Sequence, residues 1–100
     1  MPEYRITPKA FDDLDEIRSY LELKAGERVA DRVETRLFAK FEELARLKAV
    51  GHRRKDMRQP DLLFERQYRY VILFRREPQV VVLRVLHGAR DIANILKKKT

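Results

Sequence analysis

Apolar residues recur along this chain in two different rhythms, and the point where the rhythm changes divides it. Phe11, Leu14, Ile17 and Leu21 are spaced by three and four, which places them on one stripe of a helix. Thr7-Pro8 supplies the start, a hydroxyl to cap free amides and a proline where no amide is needed. Lys24-Ala25-Gly26 breaks the stripe. It resumes from about Glu27 to Lys48 as Val29, Val33, Leu37, Phe41 and Leu44, so two helices joined by a tight turn are expected to form an antiparallel hairpin. Before the first helix, Glu3-Tyr4-Arg5-Ile6-Thr7 alternates as a short strand does.

Beyond Pro60 the period falls to two. Leu62–Arg66, Tyr70–Phe74 and Val80–Leu86 are short, rich in β-branched and aromatic residues, and separated by turn-forming sequence, with Glu77-Pro78 between the last two. Asp91 is placed to cap a short terminal helix through Asn94, Ile95 and Leu96 that ends in Lys97-Lys98-Lys99. The order β-α-α-β-β-β-α predicts one α+β domain over residues 1–100, a helical hairpin packed on a twisted antiparallel sheet of three to four strands.

A two-residue turn would pair Arg76 with Gln79, and then Phe74 faces Val81, Ile72 faces Leu83 and Tyr70 faces Val85 on the helix side. The opposite side receives Arg69, Arg75 and Arg84 among Val71, Leu73, Val80 and Val82. Guanidinium groups between apolar neighbours are suited to recognising phosphate or carboxylate, although solvent-facing arginine on a half-exposed sheet gives the same pattern.

Charge sharpens this picture. Residues 1–51 hold 10 Lys+Arg against 11 Asp+Glu, whereas residues 52–100 hold 13 against 5, so the formal charge of +7 comes from the second half. Its most basic connector is Gly51–Pro60, with His52, Arg53, Arg54, Lys55 and Arg58. Such segregation attracts a polyanion, whether nucleic acid, an acidic protein segment or an anionic surface. The acidic run Asp12, Asp13, Asp15 and Glu16 reads as structural. It lies early in a helix, where the macrodipole favours anions, no His accompanies it, and adjacent carboxylates on a helix diverge.

Candidate chemistry is sparse. With 44% hydrophobic residues, the chain can bury a core. The absence of Cys excludes a disulfide framework, a thiolate zinc site and a cysteine nucleophile. No apolar run approaches the roughly 20 residues of a spanning helix, and Met1–Arg5 lacks a signal-peptide core, so a cytoplasmic location is expected. Neither a Gly-rich phosphate loop nor a Ser-His-Asp set is present. His87, at the end of the last strand, is either a strand-end imidazole bonded to the Gly88 turn or a general base near neutral pH. No metal or cofactor is expected.

Two stretches carry a resemblance. Arg69-Tyr70-Val71-Ile72-Leu73-Phe74-Arg75, followed by a turn and Val81-Val82-Leu83-Arg84-Val85-Leu86-His87-Gly88-Ala89-Arg90-Asp91, is similar to the closing hairpin and HGARD-type ending of the ParE branch of the RelE/ParE toxins from bacterial type II toxin–antitoxin modules. Tyr4-Arg5-Ile6-Thr7-Pro8-Lys9-Ala10 before an acidic helix resembles the family's opening. The resemblance spans nearly the whole chain.

It implies a toxin that poisons DNA gyrase, held inactive by an acidic ParD-like antitoxin that folds on binding. Arg69, Arg75, Arg84, His87 and Arg90 are the expected contacts to antitoxin or target. The alternative is a RelE-like ribosome-dependent endoribonuclease, for which Arg58, Arg69, Arg84 and His87 would fill part of the catalytic list. The chain departs from that branch in having no tyrosine after Tyr70. Direct nucleic-acid binding is not expected, because Tyr70, Phe74 and Phe64 read as core side chains and not as stacking platforms.

Overall fold

The computed structural model describes residues 3–46, 62–76 and 78–88. Its elements are β1 (Tyr4–Ile6), α1 (Pro8–Ala25), α2 (Glu27–Arg46), β2 (Leu63–Gln67), β3 (Tyr70–Arg76) and β4 (Val80–His87). The stretch Gly51–Pro60, the turn residue Glu77 and the terminal helix expected from Asp91 lie outside the described residues.

Thr7 starts α1 as its sequence requires. Its backbone is extended (φ −69°, ψ 159°), its Oγ1 accepts from the Ala10 amide at 3.2 Å, and Pro8 opens the first turn. The same hydroxyl donates to the Leu83 carbonyl at 3.0 Å, and the Thr7 amide donates to Val82 at 3.1 Å. One residue therefore caps a helix and ties it to β4. At the other end Gly26 adopts φ 94°, left-handed space that only glycine enters freely, and its amide donates to the carbonyls of Leu21 and Glu22.

The strand order is β1-β4-β3-β2. β2–β3 and β3–β4 are antiparallel, but β1 runs parallel to β4, so the sheet is mixed and not wholly antiparallel. Parallel neighbours cannot be joined by a tight turn. Here the intervening helices and hairpin carry the chain round, and the parallel edge becomes possible.

The β3–β4 register also differs from the alternation read along the chain. Arg76 pairs with Val80 and not Gln79, Phe74 with Val82, Ile72 with Val85, and Tyr70 with His87. Between Leu73 and Phe74 the partner jumps from Arg84 to Val82, leaving Leu83 as the extra residue of a bulge. Val80, Val82 and Val85 consequently join the helix-facing core, while Leu83 packs with the other cluster.

That helix-facing core is built from Ala10, Leu14, Leu37, Phe41 and Leu44 against Tyr70, Ile72 and Phe74 as well as the valines. Phe41 meets Tyr4 and Phe38 edge-on, with centroids 5.7 and 5.5 Å apart. Leu62, Val71, Leu73 and Leu86 form the second cluster.

The stripe on α2 stands as expected at Leu37, Phe41 and Leu44, with Val29 and Val33 half-buried. α1 is rotated from its expected face. Phe11 is 51% exposed, and Ala10 and Asp13 turn inward with Leu14. Arg18 bridges the hairpin, reaching Asp31 at 2.6 Å and Glu34 at 3.2 Å.

Gly26 isolates a backbone effect, because no atom lies within 4 Å of where a Cβ would sit. Gly26→Ala is expected to lower the unfolding free energy by about 1 kcal/mol through conformational strain alone, read by chemical denaturation with an unchanged m value.

Candidate functional site

The bulge in β4 redirects one of the residues singled out from sequence. Strand alternation sends Arg84 to the open face, but after the bulge its side chain turns toward α1. Nε donates to Asp13 Oδ2 at 2.7 Å and Nη2 donates to Oδ1 at 3.0 Å, a forked pairing of planar groups. Asp13 Oδ2 accepts a further bond from the Val85 amide at 2.9 Å. The bond to Asp13 raises the pKa of Arg84 further above its already high ordinary value. Arg84 is thus corrected from an exposed recognition residue to half of a clasp between helix and sheet.

The remaining candidates separate along the sheet. Arg75 is half-buried opposite Val81 near the β3–β4 turn. Arg69 and His87 are exposed and share the opposite end, since His87 pairs with Tyr70 and the Gly88 amide donates to the Arg69 carbonyl at 2.6 Å. The His87 and Tyr70 rings lie at 90° with centroids 6.0 Å apart. Gly88 eases a close approach: a Cβ there would sit 3.1 Å from both the Arg69 carbonyl and Arg66 Nη1, so a side chain would press on the β2–β3 turn. Arg58 and Arg90 lie outside the described residues.

Between α1 and this end of the sheet runs a groove of about 320 Å³. Ile17, Leu86 and Val85 give it an apolar floor, and Glu16, Tyr20, Tyr70 and His87 supply polar edges above the Asp13 carboxylate. Burial, opposed by Arg69 and reinforced by Tyr20, raises the pKa of the Tyr70 hydroxyl above its ordinary value. A second hollow of about 370 Å³ lies between β1 and α2, with Tyr4 and Phe38 beside Glu34 and Glu42. There burial and then Glu42 raise the pKa of Tyr4. Among the described residues no cluster of His, Asp and Glu is arranged to hold a metal ion, and no helix is long and apolar enough to cross a membrane.

Sequence reasoning missed Asp13 as a partner, Tyr20 as a groove wall and Arg76 as a cap. Arg76 Nη1 donates to the Leu44 carbonyl at 2.7 Å near the end of α2, its guanidinium lies 5.4 Å from the Phe74 ring centre, and burial lowers its pKa. A signal for Asp13 was present: Ala10, Asp13, Leu14 and Ile17 follow the helical spacing, with a carboxylate on the apolar stripe. An acid at such a position implies a basic partner on the facing layer.

Comparison with known proteins decides the family. Residues 4–92 match the model of the ParE toxin of the type II toxin–antitoxin system parDE. The chain belongs to the ParE toxin family. Among solved structures, a chain of the chromosomal ParDE toxin–antitoxin system from P. aeruginosa superposes with a TM-score of 0.70 at 20% identity, over 87% of this chain and 96% of that one. That likeness is one of fold: a ParE-type arrangement of helical hairpin and sheet. No curated protein matches the sequence.

Two predictions follow from the geometry of this ParE chain. Asp13→Ala is expected to cost about 3 kcal/mol, since it strands the Arg84 guanidinium and the Val85 amide, and adding Arg84→Met should recover part of that loss in urea denaturation. The raised hydroxyl pKa values of Tyr4 and Tyr70 mean that the fold favours their neutral forms. Their contribution to stability is complete below the unfolded value of about 10 and is lost as pH rises through the raised folded values. Absorbance at 295 nm should show late tyrosinate components that Tyr4→Phe and Tyr70→Phe remove one at a time.

Proposed function

We propose that this ParE-family toxin arrests growth by binding DNA gyrase and stalling it on cleaved DNA, and that an acidic ParD-like antitoxin folds onto it to hold it inactive. The observation that carries the reading is the family match over residues 4–92, which covers both packed layers and the groove between them. A parDE system pairs a ParE toxin with a ParD-type antitoxin, and the surface chemistry suits such a partner. The groove beside α1 offers Ile17 and the exposed Tyr20 to the apolar face of an incoming helix. The formal charge of +7 favours an acidic chain over a basic one. His87 lines that groove and Arg69 lies on the adjoining turn; these are the contacts we assign to the partner's carboxylates, with Arg75 reserved for a more distant one.

Geometry weighs against the ribonuclease alternative. That mechanism asks Arg84 to meet a crowded phosphate, whereas its guanidinium is engaged by Asp13. Action on gyrase would place the toxin in the cytoplasm.

A supercoiling assay tests the proposal. Purified protein should inhibit gyrase in a dose-dependent manner and accumulate cleaved DNA, with activity restored by a stoichiometric amount of antitoxin. Unimpaired supercoiling at saturating toxin would reject it, and new messenger ends within codons after expression would point to the nuclease instead.

A further inference from the structure

The turn joining β2 to β3 is built against local preference. Gln67 pairs with Tyr70, so Tyr68 and Arg69 alone make the connection. Tyr68 takes φ 58°, the one non-glycine with positive φ among the described residues. Two-residue hairpins place Gly, Asn or Asp at such positions, because a Cβ crowds the neighbouring carbonyl in left-handed space. A bulky residue held there needs a compensating contact. Inside the protein Tyr68 gains little: its ring is 51% exposed and belongs to neither core cluster.

Its neighbours are chemically consistent. Arg66 and Arg69 flank it, both are exposed, and neither makes an ion pair with a described residue. The tip is also braced. The Gly88 amide bonds to the Arg69 carbonyl at 2.6 Å, so the end of β4 supports the turn from the side. An exposed tyrosine is thus held on a braced hairpin tip, with Arg69 beside it in the turn and Arg66 at the end of β2, its guanidinium reaching toward Gly88.

From this geometry we propose that the β2–β3 tip binds nucleic acid, with Tyr68 stacking on an unpaired base while Arg66 and Arg69 contact the flanking phosphates. Tyr68 sits exposed in a two-residue hairpin turn and lines neither of the two grooves, which argues for this partner over an acidic peptide. A peptide gains its affinity by burying apolar side chains in a groove, which this protein offers beside α1, whereas a projecting ring enters a stack or a strand of splayed bases. Guanidinium forks match phosphate oxygens. The expectation of no direct nucleic-acid binding rested on Tyr70, Phe74 and Phe64, and Tyr68 differs from these in being exposed. The proposal goes beyond gyrase inhibition and does not depend on it.

Fluorescence anisotropy of the purified protein with a labelled single-stranded DNA 20-mer tests the idea without gyrase. Tyr68→Asn relieves the strain and removes the ring. It should raise Tm by a few degrees while weakening DNA binding by about tenfold, whereas Tyr68→Phe should bind as the parent does. Arg66→Gln and Arg69→Gln should each reduce the log–log salt slope by about 0.7. Unchanged DNA affinity in Tyr68→Asn overturns the proposal, as does a fall in its Tm, which would make the ring structural. DNA affinity intact in the Arg66→Gln and Arg69→Gln variants would also overturn it, by showing that the tip's cations meet no phosphate.

Discussion

A carboxylate held between two layers organises this protein. Asp13 takes both a guanidinium fork and a strand amide, and it does so only because α1 is turned to face the sheet and β4 is kinked where the fork leaves it. Helix rotation, bulge and strand register are therefore one constraint seen from different sides. If α1 rolled back to bury Phe11, Asp13 would leave the interface. If β4 lost its extra residue, Arg84 would swing to the open face. A polar group this buried contributes more to uniqueness of arrangement than to net stability, since its gain offsets a large desolvation cost.

Because that arginine is committed internally, the surface divides into regions with separate chemistry. The groove beside α1 combines an apolar floor with hydroxyl, imidazole and carboxylate edges. The hairpin tip next to it carries exposed Arg66, Tyr68 and Arg69. Both lie at the end of the sheet where the β4 strand finishes and Gly88 lets backbones approach, so ligands on the two would be close neighbours.

Much of the architecture was legible along the chain. Thr7-Pro8, Gly26 and the Leu37, Phe41, Leu44 stripe each announce a local structure whose cause is local, and the structure repeats them. The same holds for the existence of the strands. What could not be read was set by contacts between distant residues. The parallel edge depends on where β1 lands after the whole sheet has formed. The β3–β4 register, with its bulge at Leu83, gives Val80, Val82 and Leu83 the opposite facing to the one simple alternation assigned, and their composition is purely apolar either way. Tyr68 was invisible for another reason: turn propensity names the residues a turn prefers, and a tyrosine there is the exception.

The parallel pairing of β1 with β4 has a consequence for synthesis. The first strand and the cap that follows it find their hydrogen-bonding partners at Val82 and Leu83, at a sequence separation of 76 for Thr7 and Leu83. A nascent chain still lacking β4 has nowhere to seat its N-terminal edge and no amide to offer Asp13. Contacts of such long range form slowly. The N-terminal edge strand and the Asp13 clasp are thereby completed only by the last strand of the sheet, so the two ends of the described chain share one closing step.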